Sequence, residues 1–345
     1  MKCSSLLIFG FFLPALVFSQ NEFVGSDPAI NRKDCLYVDH TKKPLIDLQG
    51  EFLYWWQKQC DIDYVIETSD TNLTVITNGH FYNPEWKFNP GFRLSAAINT
   101  SPNLWKVEYT RFCSTSKDSK IADATHGLIP YNPITWLEFA ACDSASVVFK
   151  LKYNVLDLIY KTPYVLDTII IAPLAGFRGA LIDEVEESFY QETDVIYWNA
   201  VDGAYNLVAV GDYTINAIEK RKYLGLNGGI SFDYPLGQYF FISNTNLISV
   251  LYSSENITYE HRCPGFSPYS GTDIVVQLKH EKRSSIKVPM QTNIYINGRM
   301  PCGQKAVMTL GVGYEFNVWF QFLEYSVFSA TLYLHGMNVR MALDF

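Results

Sequence analysis

The sequence predicts an all-β protein, a transmembrane antiparallel β-barrel of about ten strands with short turns at one end and long loops at the other. Three observations carry that expectation. From Tyr333 the odd positions run Tyr333, His335, Met337, Val339, Met341, Leu343 and Phe345, against Gly336, Asn338, Arg340, Ala342 and Asp344. Successive strand side chains point to opposite faces, so this is one largely apolar face backed by a polar one, and a last strand of this kind suits a closed barrel without edges. The predicted connections also alternate in length. Tight turns near 100, 163, 236 and 300 interleave with longer stretches near 69–86, 114–145, 184–215, 254–285 and 321–330. Finally, 15% aromatic against 18% charged residues is the balance of a wall with one face in hydrocarbon and aromatic girdles at its rims.

Residues 1–19 read as a cleaved secretory signal, with Lys2 before the apolar run Leu6 to Phe18 and small residues at Val17 and Ser19. That run is about a dozen residues, whereas a spanning helix needs roughly 20. Residues 20–49 are polar, with Pro28, Pro44 and the cluster Asn31-Arg32-Lys33-Asp34, and read as a periplasmic segment preceding a barrel over 50–345.

The first strand pattern runs from Gly50 to about Ile66. Phe52, Tyr54, Trp56, Cys60, Ile62, Tyr64 and Ile66 share one face, and Glu51, Trp55, Gln57, Gln59, Asp61 and Asp63 the other. Strands follow over Phe88 to Ile98 and Leu104 to Cys113, separated by the turn Thr100-Ser101-Pro102-Asn103. Around Val147 to Asn154 the apolar residues Val147, Phe149, Leu151 and Tyr153 alternate with Val148, Lys150, Lys152 and Asn154. The apolar phase slips by one residue near Leu158, which reads as a bulge or strand end. Further strands are expected over Ile169 to Asp183, Ile218 to Tyr234, Gln238 to Tyr252, Ile286 to Ile296 and Lys305 to Phe320.

A net charge of −8 argues against nucleic acid as a partner. Of the seven cysteines, Cys35, Cys60, Cys113, Cys142, Cys263 and Cys302 lie beyond the signal and form no CxxC, so no structural zinc is expected. Cys113 and Cys142 bracket the second long loop. Their disulfide would staple it; two reduced, buried thiols are the alternative. His80, His126, His261 and His280 fall in predicted outer loops, but no GxSxG or HExxH accompanies them, and the expectation is that the chain is not an enzyme.

Charges on a lipid face cost roughly 2 to 4 kcal/mol at midplane, so the charges in the wall are expected to line a lumen or sit at the rims. The candidates are Asp61, Asp63, Arg93, Lys106, Glu108, Lys150, Lys152, Arg178, Arg221, Asp233, Glu315, Arg340 and Asp344. Both signs are present, and a barrel this narrow is often filled by its own side chains. An open pore and a closed structural barrel both remain.

The apolar face Tyr333, Met337, Val339, Met341, Leu343 and Phe345 resembles the signal by which bacterial outer-membrane barrels are recognised for insertion. A wider resemblance spans Gly50 to Phe345. The opening Gly50-Glu51-Phe52-Leu53-Tyr54-Trp55 is similar to the first strand of the Legionella-type major outer-membrane proteins, pore-forming barrels also numerous in chlamydia-related bacteria. Gly91-Phe92-Arg93, Ala175-Gly176-Phe177-Arg178-Gly179, Gly225-Leu226-Asn227-Gly228-Gly229, Gly313-Tyr314-Glu315 and Leu334-His335-Gly336-Met337-Asn338 follow in the same order. The resemblance implies export to the outer membrane, contact with its lipid and with the barrel-assembly machinery, passive diffusion of small hydrophilic solutes, and no cofactor. It also implies disulfide cross-linking of the envelope; Cys35 and Cys302 both fall on the expected periplasmic side, where they can pair with each other or with a neighbouring protein. A structural or adhesin-like barrel presenting its loops is the second expectation.

Overall fold

The structure, a computed structural model, describes residues 46–59, 63–69, 79–100, 103–123, 126–131, 138–199, 204–263, 274–302, 306–324 and 329–345. All its regular elements are strands: β1 Ile46–Gln59, β2 Val65–Thr68, β3 Gly79–Tyr82, β4 Phe88–Asn99, β5 Leu104–Ile121, β6 Gly127–Pro130, β7 Glu138–Ala141 and β8 Ser144–Lys161. They continue with β9 Tyr164–Leu166, β10 Ile169–Asn199, β11 Ala204–Pro235, β12 Phe240–Cys263, β13 Ile274–Lys287, β14 Pro289–Cys302, β15 Ala306–Glu324 and β16 Ser329–Asp344. Every named pairing is antiparallel, and the ring runs β1, β4, β5, β8, β10, β11, β12, then β13 and β14 end to end, β15 and β16. β16 pairs with β1 from Asp344 opposite Asp47 to Leu332 opposite Gln59, closing a barrel of ten wall positions.

Stepping from partner to partner around the ring starts at Ser254 and passes Lys222, Leu181, Asn154, Arg111, Phe92, Phe52, Val339, Val312 and Ile296. It returns to β12 at Ile242, twelve residues lower. With about 3.3 Å per residue and about 4.8 Å between strands, that stagger tilts the strands by about 40° and makes the tube about 20 Å across at the backbone. Side chains from opposing walls can meet across such a bore.

Polarity inverts along the axis. In the half nearer the termini the outward positions are apolar: Leu48, Phe52 and Tyr54 on β1, Leu94 and Ile98 on β4, Leu224, Leu226 and Ile230 on β11, Met337, Val339 and Met341 on β16, all well exposed. Inward positions between them carry Glu51, Arg93, Ser95, Asn99, Asn227, Ser231, Asn338 and Arg340, with Leu53, Trp55 and Tyr223 starting the apolar interior above. In the other half the inward positions of β8 are apolar, with Val147, Phe149, Leu151 and Tyr153 each 1–2% exposed, and Lys150, Lys152 and Asn154 face outward. The lower wall is solvated by hydrocarbon outside, the upper wall by water, and each face takes the residue its solvent favours. β8 shows both regimes without any break in register with β5 or β10. The slip near Leu158 is therefore no bulge. Leu156 and Leu158 face lipid, while Phe149 and Leu151 face the interior.

The same inversion explains a second difference. β10 and β11 have 31 and 32 residues, and β12 and β13 extend correspondingly, so 184–215 and 254–285 are mostly strand rather than loop. A crossing needs only about 9–11 residues. At the far end β2, β3 and β6 form a separate sheet in the order β3-β2-β6. Tyr64, Ile66 and the rest of that segment thus leave the first barrel strand. Val65, Ile66, Leu128 and Ile129 pack on Ala145, Val147, Tyr190, Tyr213 and Ile215, capping the interior. Tyr190 anchors the cap by donating its hydroxyl to the Tyr64 carbonyl at 2.8 Å.

Close strand approach is bought at glycine. A Cβ at Gly225 would lie 2.0 Å from the Val250 carbonyl oxygen, and one at Gly336 2.1 Å from that of Tyr54. Both positions require a residue without one.

Candidate functional site: the barrel interior

The interior is stacked in layers. Nearer the termini, Arg93 on β4 is a hub: its guanidinium reaches Glu315 on β15 through two bonds of 2.8 Å, Glu51 on β1 at 2.9 Å and Thr110 at 2.9 Å, with Glu108 at 3.3 Å. Its side chain is 5% exposed and that of Glu315 is 0%. Asn338 and Gln291 donate to Glu315 at 2.9 Å each, and Tyr295 donates to Glu51. Gln291 also accepts from Arg178 on β10 at 2.7 Å, and Arg178 forks onto Asp157 at 2.7 and 2.9 Å. The chain Arg178, Gln291, Glu315, Arg93 thus spans the bore from one wall to another. Arg340 belongs to the same half, donating to Asn297 and Ser243 at 2.9 Å.

Above it lies an aromatic layer. Trp319 packs on Tyr223, Tyr153 and Phe322 with centroids 5.1, 5.9 and 6.2 Å away, and Trp55 packs on Phe112 at 5.6 Å. Asn317 on β15 donates to the Tyr153 hydroxyl on β8 at 3.1 Å. These strands are diametrically opposed in the ring. A direct bond between them means that the two walls touch.

A second ionic layer follows. Arg221 pairs with Glu184 at 2.6 Å and with Glu219, Gln59 donates to Glu184 at 2.6 Å, and Lys287 lies 3.9 Å from Glu255. Glu184, Glu219, Glu255 and Lys287 escape the sequence reading. Glu184 and Glu255 sit in stretches the sequence predicts as loops, whereas Glu219 and Lys287 stand next to the first residues of the predicted strands Ile218 to Tyr234 and Ile286 to Ile296.

Arg93, Glu108, Arg178, Arg221 and Glu315 are buried inside the barrel. Lys106, Asp233, Arg340 and Asp344 face the same interior but are half-buried; Lys106 bonds Glu108 at 2.6 Å and Asp233 lies 3.9 Å from Lys161. Lys150 and Lys152 do not line it. They lie on the outer face of β8, Lys150 paired with Glu187 at 2.9 Å, because this part of β8 stands above the apolar band. Asp63 lies beyond β1, in the connection to β2, and Asp61 and Cys60 lie outside the described residues.

The Cys113–Cys142 staple is not formed: both thiols are free, Cys113 exposed on the wall and Cys142 buried under the cap. Strand β5 continues past Cys113 to Ile121, which carries the two apart. Cys302 is free and exposed, and Cys35 is outside the described residues. Burial pushes the Cys142 thiol up to about 12. The thiolate is the reactive form, so a variant keeping Cys142 as its sole cysteine will resist a water-soluble maleimide at pH 8 while folded and react within minutes once unfolded. Rapid labelling of the folded protein would show that the cap does not cover it.

No family model matches the chain, and no curated protein matches it. Solved structures do. The outer membrane protease OmpT of Escherichia coli is 13% identical with a TM-score of 0.34, covering 87% of this chain and 96% of its own. Ail, the attachment invasion locus protein of Yersinia pestis, is 8% identical with a TM-score of 0.25, covering 88% and 99%. A major outer membrane protein of Thermus thermophilus is 12% identical with a TM-score of 0.27, also covering 88% and 99%. The fold, a closed antiparallel β-barrel, rests on the ring closure between β16 and β1 rather than on these likenesses. Because a protease stands among these neighbours, the expectation of a non-enzymatic chain is withdrawn. Likenesses this weak assign no activity of their own.

Proposed function

We propose that this chain is a closed outer-membrane barrel that holds a tall, rigid surface extension and its loops outside the cell, in a structural or adhesin-like role rather than as a diffusion pore. The observation that carries this reading is the bond between Asn317 and Tyr153 across the full width of the bore. It lies between two buried ionic layers and beneath a capped end, so a hydrated solute meets four successive barriers. Strands about three times the length of a crossing place most of the ordered wall beyond the lipid, where it supports β2, β3 and β6.

Export through the signal at residues 1–19 and recognition of Tyr333, Met337, Val339, Met341, Leu343 and Phe345 by the assembly machinery belong to the same proposal. The Legionella-type resemblance enters it as a kinship of architecture, with the solute passage of that family replaced by closure. Planar-bilayer recording separates the two roles. Correctly folded protein will leave the bilayer silent, with no discrete conductance steps; regular steps at low voltage would restore the porin reading.

A further inference from the structure

The outer face changes character abruptly where the apolar band ends. On β5 the outward residues Trp105, Val107 and Tyr109 give way to Arg111; on β8, Leu158 and Leu156 give way to Asn154 and Lys152; on β11, Ile230, Leu226 and Leu224 give way to Lys222 and Lys220. These positions adjoin. Lys152 and Lys220 are both directly opposite Asp183 on β10, Lys222 is opposite Leu181, and Arg111 is opposite Asn154. Arg111, Lys152, Lys220 and Lys222 are all exposed, and none is held in an ion pair among the described residues. Lys152 and Lys220 thus flank Asp183 on its two sides, and Lys222 and Arg111 lie one row nearer the apolar band.

The opposite rim has nothing comparable. There the outward residues are Ile46, Ile98, Trp105, Tyr160, Tyr234, Phe240, Met300 and Phe345, and no described lysine or arginine faces outward in that part of the wall. A solvating role would distribute cations over every water-facing part of the wall and pair them with the available acids, as Lys150 is paired with Glu187 and Arg262 with Glu260. Lys117 and Lys282 are further exposed lysines higher on the water-facing wall, but Arg111, Lys152, Lys220 and Lys222 stand together at the upper boundary of the lipid-facing band, beside a layer that supplies its own anions.

We propose that Arg111, Lys152, Lys220 and Lys222 form a binding surface for the phosphorylated headgroups of the outer-leaflet lipid, the acyl chains of the same lipid lying against Leu156, Leu181, Leu224 and Tyr109. This rests on the outer-membrane reading given above. The lysines act as point charges on flexible stems, and Arg111 stands at the edge of the band on the outer face of β5. Asp183 weakens the surface by its like charge to phosphate.

Each basic residue at a membrane surface contributes about 1 kcal/mol, or about fivefold in affinity. The full chain refolded in dodecyl maltoside is titrated with a diphosphorylated lipid A, with zwitterionic phosphatidylcholine and with inorganic phosphate, and binding is read from native mass spectrometry and from the thermal midpoint. Lipid A is expected to bind and raise the midpoint, phosphatidylcholine and inorganic phosphate to do neither. Arg111→Gln with Lys152→Gln and Lys222→Gln will bind lipid A about 100-fold more weakly, and Asp183→Asn severalfold more tightly, a gain that general destabilisation would not produce. Equal lipid A binding by wild type and the triple variant, or an equal response to inorganic phosphate, overturns the proposal while leaving the barrel intact. A chain that stays folded and monodisperse without detergent would instead overturn the membrane reading itself.

Discussion

Arg93→Ala will lower the unfolding free energy by about 3–5 kcal/mol, the cost of leaving buried charges without their partner. Three carboxylates, Glu51, Glu108 and Glu315, converge on this guanidinium, and the first and last reach it at 2.9 and 2.8 Å. Urea unfolding in detergent, followed by tryptophan fluorescence, measures the loss. Arg93→Lys will recover only part of it, because an ammonium restores the charge but not the parallel pair of bonds to Glu315. Arg93→Met combined with Glu51→Gln and Glu315→Gln will be milder than Arg93→Ala, since the orphaned charges go with their cation. An Arg93→Ala variant of wild-type stability would mean that water reaches these carboxylates and that the layer is not dry.

Trp319→Ala is the second large effect, also about 3–5 kcal/mol, the range for emptying a buried aromatic site. Trp319 is 0% exposed and supports Tyr153, Tyr223 and Phe322 at once. Phe177→Ala is the informative contrast. Phe177 is 58% exposed on the outer face of β10, where acyl chains can occupy the vacated volume, so its loss is expected to be well under half that of Trp319. Equal losses for the two would remove the distinction between interior and lipid face.

The strand number and the segregation of turns are legible in the sequence because both depend on local chemistry. Thr100 to Asn103 and Pro235 to Gly237 reverse the chain wherever they occur, and period-two alternation marks a half-buried strand. The sign of the alternation is different. On β8 the pattern of Phe149 and Leu151 against Lys150 and Lys152 is plain, but whether apolar means outward depends on the medium at that height. The same strand answers both ways, with Leu156 and Leu158 outside and Phe149 and Leu151 inside. Lipid solvation assumed for the full strand length puts Lys150 and Lys152 on the wrong side. It also turns the water-solvated parts of β10 to β13 into loops, hiding Glu184 and Glu255 from the interior they occupy. Arg93 and Arg178 escape that error because they sit within the lipid-facing band, where a charge can only turn inward.

The most direct measurement is a nitroxide scan of β8 from Val147 to Leu158 in reconstituted bilayers, read by collision with oxygen and with a water-soluble nickel chelate. Labels at 156 and 158 are expected to meet oxygen, labels at 148, 150 and 152 to meet nickel, and labels at 147, 149, 151 and 153 to meet neither. Oxygen contact alternating through 147, 149, 151 and 153, or nickel reaching those positions from a water-filled bore, would contradict the closed and inverted wall.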